Sequence, residues 1–311
     1  MTAVARAIAV LLGVAILSWV CVEAAPGSAG ERAAQAAGLL PAGGPEVPQQ
    51  TRDAIVREVA ARYGLDRPFA ARLAESVARL FVLDFGMSWR DGEPVRARVV
   101  KALGPTLLLI AGALALALAL GVGAGLVAVA RPGPVDVAIS AVAAAAIAVP
   151  PVWVALLALD AFSSGATSGG VGLVAIASLA IVPAFILARY ARAALFDAVG
   201  APWAVAVRAR GASQRRLVVV HALRASLAGL VGVAVTLVAY LIGGSLVIER
   251  VFGIRGIGAL MVDASARGDA PVVVGTAITA GAILALVSLA ADAAQRGLDP
   301  RLRDREDGGG A

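Results

Sequence analysis

Uncharged apolar runs of close to 20 residues alternate with short polar segments along most of the chain. A hydrocarbon core of about 30 Å takes about 20 apolar residues of helix, so each run predicts one membrane span. Six runs qualify: approximately Ala3–Val22, Thr106–Ala130, Val137–Leu159, Val171–Ala188, Ala225–Ile248 and Pro271–Ala291. The first has two readings. Arg6, an apolar stretch and Ala24-Ala25-Pro26 fit a cleaved signal peptide, and the same run fits a retained helix. Cys21 does not mark a lipoprotein, because bulky Trp19 and Val20 precede it.

Between the first two runs lies the long segment Glu23–Lys101, with eleven basic and ten acidic residues. Its residues 24–50, rich in Ala, Gly and Pro, predict a loosely structured linker. Residues 51–80 predict two amphipathic helices separated at Gly64–Pro68, with Asp66-Arg67-Pro68 as turn and N-cap region. Most charges there suit a solvated helical hairpin without chemistry.

Composition narrows the class. The chain is 60% hydrophobic and 15% charged, against about 25% charged in ordinary soluble domains. That excludes a disordered chain and argues strongly against a soluble enzyme. The net charge of +6 does not point to nucleic acid, since the basic residues lie between uncharged runs and not in stripes on a polar surface. One cysteine, Cys21, and one histidine, His221, exclude an internal disulfide, a Cys-based zinc site and a His cluster. The single lysine, Lys101, follows Val100, so the chain carries no phosphate-binding P-loop. Whatever energy it uses comes from elsewhere.

Arginine in short loops sets orientation. With the N-terminus inside, the cytoplasmic side holds Arg6, Arg131, the Arg189–Arg224 loop and the tail arginines 296, 301, 303 and 305. That loop has seven Arg and one acid, Asp197, whereas the opposite short loops have only Arg250, Arg255 and Arg267. The prediction is N-in and C-in.

Within the basic loop, Pro202 suits the first turn of a helix running to Arg210. Gly211 breaks it, and Ser213 is placed to cap a second short helix leading into the fifth run. Two short helices meeting at a glycine form either a knob that docks into a partner or an ordinary basic loop that sets topology.

Trp203–Leu223 resembles the "EAA" coupling-loop motif of ABC-importer permeases, in the version of the dipeptide/oligopeptide type. There an aromatic is followed by Arg-Ala-Lys-Gly, a Ser and His-Ala-Leu-Arg; here these are Trp203, Arg208-Ala209-Arg210-Gly211, Ser213 and His221-Ala222-Leu223-Arg224. The resemblance extends over nearly the whole chain. Gly64-Leu65-Asp66-Arg67-Pro68, Asp84-Phe85-Gly86-Met87-Ser88 and Gly92-Glu93-Pro94-Val95 look like the extracytoplasmic region of the B-type subunit. Ile147-Ala148-Val149-Pro150-Pro151-Val152-Trp153 looks like its third-helix segment. Glu249-Arg250-Val251-Phe252-Gly253, Gly256-Ile257-Gly258 and Asp269-Ala270-Pro271 look like its last outer loop, and Leu298-Asp299-Pro300-Arg301-Leu302-Arg303 like its C-terminus. The chain departs from the pattern at Val205, where the motif opens with an acidic or polar residue, and at Ala225 and Gly229, where Asn and Pro are usual.

The resemblance implies an all-α, six-helix permease of the type I importer fold in the bacterial inner membrane. It implies that Trp203, Val205, Ala206, Val207, Arg208, Arg210, Gly211, Ser213, Arg215, Arg216 and His221 form the segment that couples to an ATPase. His221 reads as a packing or capping residue more than as a proton carrier. Implied partners are a second homologous permease, two ABC ATPases carrying ATP-Mg, an extracytoplasmic substrate-binding protein and membrane lipid. The chain itself would hold no cofactor or metal and would not be an enzyme. The implied cargo is a peptide or similar small solute, nickel chelates included.

Small residues at Gly121, Gly123, Gly125, Gly229 and Gly232 suit close helix packing. Pro150, Pro151 and Pro183, with Trp153, either shape a translocation path or are simple kinks. Asp160 and Asp292 fall at span ends, and no ionisable pair lies within a span, which argues against an ion-coupled carrier. The expected parts are a first helix over 1–23, an extracytoplasmic segment over 24–101, a five-helix core over 102–293 with the coupling loop 189–224, and a tail over 294–311. The alternatives are a decoupled paralogue, suggested by Val205, Ala225 and Gly229, and a stand-alone channel or secondary carrier.

Overall fold

The computed structural model describes residues 3–41, 47–131, 133–147, 149–162 and 168–298, so the C-terminal resemblance at 299–303 and Ala148 lie outside the described residues. The regular elements among the described residues are all helices: α1 (Ala3–Glu23), α2 (Ala29–Ala36), α3 (Gln49–Tyr63), α4 (Phe69–Leu80), α5 (Val95–Ala130), α6 (Pro134–Ile147), α7 (Pro151–Phe162), α8 (Ser168–Gly200), α9 (Pro202–Ala209), α10 (Gln214–Arg216), a π-turn (Leu217–Ala222), α11 (Leu223–Val251), α12 (Ile257–Arg267) and α13 (Ala270–Leu298). Among the described residues, five stretches are long and apolar enough to cross a bilayer: Val4–Glu23, Val95–Ala130, Gly170–Gly200, Gln214–Val251 and Ala270–Leu298. Along α1, side chains such as Ile8, Leu17 and Val20 face outward. An apolar circumference of this kind suits lipid.

The third run divides. Pro151 opens α7 and Trp153 N–H donates to the Pro150 carbonyl at 3.0 Å. Proline lacks the N–H that would continue α6 into α7. The resulting helices have 14 and 12 residues. At 1.5 Å per residue, each is about 20 Å long, short of the hydrocarbon thickness.

The chain forms two compact units. One consists of Met1–Thr106 and Arg255–Ala285. Here the expected linker is corrected: Ser28 caps α2, accepting from Glu31 N–H at 3.1 Å while Glu31 accepts from Ser28 N–H at 2.9 Å. Arg32 anchors this helix by donating to the carbonyls of Ala25 and Gly27. A capping box outweighs the weak propensity of an Ala/Gly-rich stretch. The two expected helices are present as α3 and α4, with Gly64 in the left-handed region (φ 63°) closing α3, but α3 packs chiefly on α2 and α4 on α1 instead of on each other as a hairpin. Ala33, Ala34, Leu40, Val59, Trp89 and Ala270 form the core in which α2 and α3 meet.

The other unit consists of Leu107–Ile254 and Leu286–Ala311. Its core packs α5, α8 and α11 through Leu109, Ala113, Leu179, Leu187, Leu237 and Leu241. Gly121 and Gly125 set the approach of α5 to α8. A Cβ at Gly121 would lie 2.5 Å from Leu187 Cβ, and one at Gly125 2.7 Å from Ala191 Cβ. At Gly123 a Cβ would meet nothing within 4 Å, so only the outer two glycines of the motif pack closely.

Candidate functional site

Residues 189–200, expected in the basic loop, continue α8, so the stretch between the long helices α8 and α11 reduces to α9, the Gly211 turn, α10 and the π-turn. A helix does not stop at the predicted membrane boundary when nothing in 189–199 breaks it; Gly200-Ala201-Pro202 does. Pro202 occupies the first turn of α9, Ala204 is buried, and Trp203, Val205 and Ala206 face outward. Val207 is half-buried, and Arg208 donates to the Val199 carbonyl at 3.3 Å.

Gly211 turns the chain at φ 81°, held by its N–H to the Arg208 carbonyl at 2.9 Å. A Cβ there would meet nothing within 4 Å in this chain, so within the chain the glycine answers a backbone requirement. Ser213 then caps α10 by accepting from Arg216 N–H at 3.3 Å. Arg208, Arg210, Arg215 and Arg216 are all exposed on this short stretch.

The second helix is not a separate short one. α10 runs through the π-turn Leu217–Ala222, which carries half-buried His221, directly into α11. Leu217 and Val218 are buried, and Val218 and Ala222 pack with Val129 of α5 and Leu195 of α8. Ser226 reinforces the junction, its hydroxyl near the carbonyls of Ala222 (2.9 Å) and Ala194 (3.3 Å). An exposed basic tip therefore stands on a buried base.

Two features beside this base were not legible in the sequence. Asp136, in the first turn of α6, accepts two hydrogen bonds from Arg192 of α8, and the Arg192 guanidinium lies 4.9 Å from the Phe196 ring. The partners are 56 residues apart in different helices, so no local pattern joins them. A crevice of about 350 Å³ also opens among Tyr190, Asp197, Trp203, Ala225, Ser226 and Gly229. Two of the departures from the motif, Ala225 and Gly229, line it.

Pro150 and Trp153 are exposed, Pro151 opens α7, and Pro183 is buried inside α8. None lines the crevice. The expected outer loop is corrected, since most of it is helix. Glu249 is fully buried in the last turns of α11, and half-buried Phe252 follows that helix. Gly256 is the N-cap of α12, and Gly258 is buried in its first turn. Thr106 Oγ1 accepts from Ile257 N–H at 2.8 Å, which fixes the start of α12. Asp269, just before α13, is buried and accepts from the Ser88 hydroxyl at 2.6 Å and Trp89 N–H at 3.0 Å. Two of the resembling motifs thus meet in one contact.

On α4, the pKa of the Glu75 carboxyl is lowered because Arg67 donates to it at 2.5 Å, with Arg79 adding a second positive charge. Glu31 is lowered by the Ser28 N–H and then by Arg52.

With this geometry in view, residues 117–304 match the family of binding-protein-dependent transport system inner membrane components. A Brucella abortus protein whose name assigns it to a peptide transport system permease is 30% identical over 96% of this chain and 97% of its own length. The oligopeptide transport system permease protein AppB of Bacillus subtilis is 28% identical over 95% of this chain and 96% of its own. A chain of the MetNI methionine ABC transporter in an inward-facing conformation shares the fold, with TM-score 0.56 and 23% identity over 65% of this chain and 96% of that one.

Proposed function

This chain belongs to the binding-protein-dependent transport system inner membrane components, and from that premise we propose that it is a peptide-importing permease driven through its α9–Gly211 segment. It is a multi-pass inner-membrane protein, and its relatives include a permease protein of an oligopeptide transport system. In our reading α6 and α7 together make the third of six crossings, and both termini face the cytoplasm, as the arginine bias favours.

The observation that carries the proposal is the exposed tip on a buried base. Arg208, Arg210, Arg215 and Arg216 flank one left-handed glycine, and the π-turn behind them is packed on α5 and α8. A partner ATPase that closes on ATP-Mg and moves this tip would move the helices it stands on. Transport is then alternating access: a binding protein delivers peptide outside, and nucleotide turnover on two partner ATPases resets a cavity formed with a second permease.

The test is purification of the tagged chain from its native membrane in mild detergent. The expected result is recovery with a P-loop ATPase and a second permease, and loss of the ATPase from a Gly211→Val variant that still inserts. Recovery of the chain alone, under conditions that keep a known importer intact, would favour a decoupled or stand-alone protein.

A further inference from the structure

We propose that the arginine-rimmed pocket between α1, α3, α4 and the first turns of α13 binds an anionic phospholipid. The pocket holds about 280 Å³. Trp19, Leu80, Phe85, Val274 and Ile278 give it an apolar floor, and Arg62, Arg67, Arg72 and Arg79 line its rim. Glu75 and Asp84 are the acids in its wall.

The charges are unequally matched. Arg67 and Arg79 share the one carboxylate of Glu75, and Arg72 pairs with Glu23 at 2.9 Å. Asp84 accepts from Gly86 N–H at 2.9 Å and keeps its charge, so the four guanidiniums exceed Glu75, Glu23 and Asp84 by one. Arg62 has only the Tyr63 ring, 5.7 Å away, and no carboxylate partner among the described residues. A monoanion entering here meets surplus guanidinium, whose planar fork suits a phosphodiester.

The level of the pocket points to lipid. Trp19 lies four residues before Glu23, where the apolar run of α1 ends, and Pro271 two residues after Asp269, where that of α13 begins. This is where hydrocarbon gives way to headgroups, the depth favoured by Trp. A second observation is independent of the charges. Immediately after α4, Phe81, Val82 and Leu83 are 75%, 69% and 60% exposed, three consecutive apolar side chains beside the rim. Leu83 has φ 54°, a conformation disfavoured for a leucine, in the turn that presents them. Basic rim, apolar floor and an adjoining apolar tip match a phosphate with acyl chains attached, and the tip has no use for a free anion.

The inference stands apart from the transport reading, and its failure would leave ATPase docking untouched. The experiment incubates the purified full-length chain in mild detergent with palmitoyl-oleoyl phosphatidylglycerol or the matching phosphatidylcholine and counts retained lipid by native mass spectrometry. Phosphatidylglycerol should be retained in preference, and Arg62→Gln, which orphans no acid, should weaken it about fivefold. Phe81→Ser should lower retention as well. Equal retention of the two lipids, or phosphatidylglycerol binding unchanged by Arg62→Gln, would overturn the proposal. So would displacement by an equal concentration of inorganic phosphate, which would mark a pocket for free anions.

Discussion

The Ser88 hydroxyl donates to the Asp269 carboxylate at 2.6 Å across 181 residues of sequence, and both side chains are buried. Trp89 N–H, also buried, shares the same carboxylate at 3.0 Å. The contact ties the loop before α5 to the start of α13. Without its acceptor, Asp269→Ala leaves a hydroxyl and a backbone N–H buried and unpaired, which costs about 3 kcal/mol. The variant should melt well below the parent in detergent, and Ser88→Ala, which leaves Trp89 N–H paired, should melt less far below it. Equal melting of all three proteins would show that the contact carries no stability.

At Gly211 the prediction separates conformation from clearance. A β-branched residue at φ 81° is strained by about 1–2 kcal/mol, whereas Asn tolerates the left-handed region. No atom stands within 4 Å of an added Cβ. Gly211→Asn should therefore keep more transport than Gly211→Val at equal membrane abundance. If both variants are inactive, the glycine serves close approach by a partner and not the turn.

Much of this was legible in the sequence, and the failures have physical causes. Apolar run length predicted α1, α5, α8, α11 and α13 because burial in lipid demands it irrespective of tertiary contacts. Pro202, Gly211 and Ser213 marked the break between α9 and α10 because caps and breakers act locally. The extent of α8 was missed, since helices continue past the bilayer wherever nothing interrupts them. The linker reading of 24–50 failed because composition outvoted the capping pair Ser28 and Glu31. Asp136–Arg192 and Ser88–Asp269 were invisible as pairs, because side chains distant in sequence meet only through packing.

Gly229 takes the place of the motif's usual proline, and the structure gives it a steric role. A Cβ there would stand 2.6 Å from the Tyr190 hydroxyl. The atom it would meet is the free end of an exposed side chain that can turn aside, so Gly229→Ala should be close to neutral, the clash offset by about 1 kcal/mol of helix propensity. In a Tyr190→Phe background, where the clash is gone, Gly229→Ala should be stabilising. A thermal double-mutant cycle checks this, and additive effects would show that the two residues do not meet.

Acid should loosen α2 before the spans. Glu31 has an ordinary value of 4.5 and is lowered in the folded chain, first by Ser28 N–H and then by Arg52. A depressed carboxylate contributes stability above its unfolded value and loses it as pH falls through the folded one. The α2–α3 contact should therefore be protected near neutral pH and open progressively below about pH 4.5. Hydrogen exchange of the Ala29–Ala36 amides against pH reads this directly, and Glu31→Gln should remove the pH dependence.

The last prediction concerns the strut between α6 and α8. Asp136 and Arg192 meet in a bidentate pair, and Asp136 is buried. Arg192→Met should strand the buried Asp136 carboxylate, which is worse than having neither partner, and weaken uptake with the α9–Gly211 tip intact. Asp136→Ala, which leaves a guanidinium 35% exposed, should cost less. The double variant Asp136→Ala with Arg192→Met should recover stability, because it removes both charges and keeps an apolar side chain near the Phe196 ring. Recovery of stability with recovery of uptake would assign the pair to packing alone. Recovery of stability without uptake would make it the link through which motion of α8, next to the π-turn base, reaches α6.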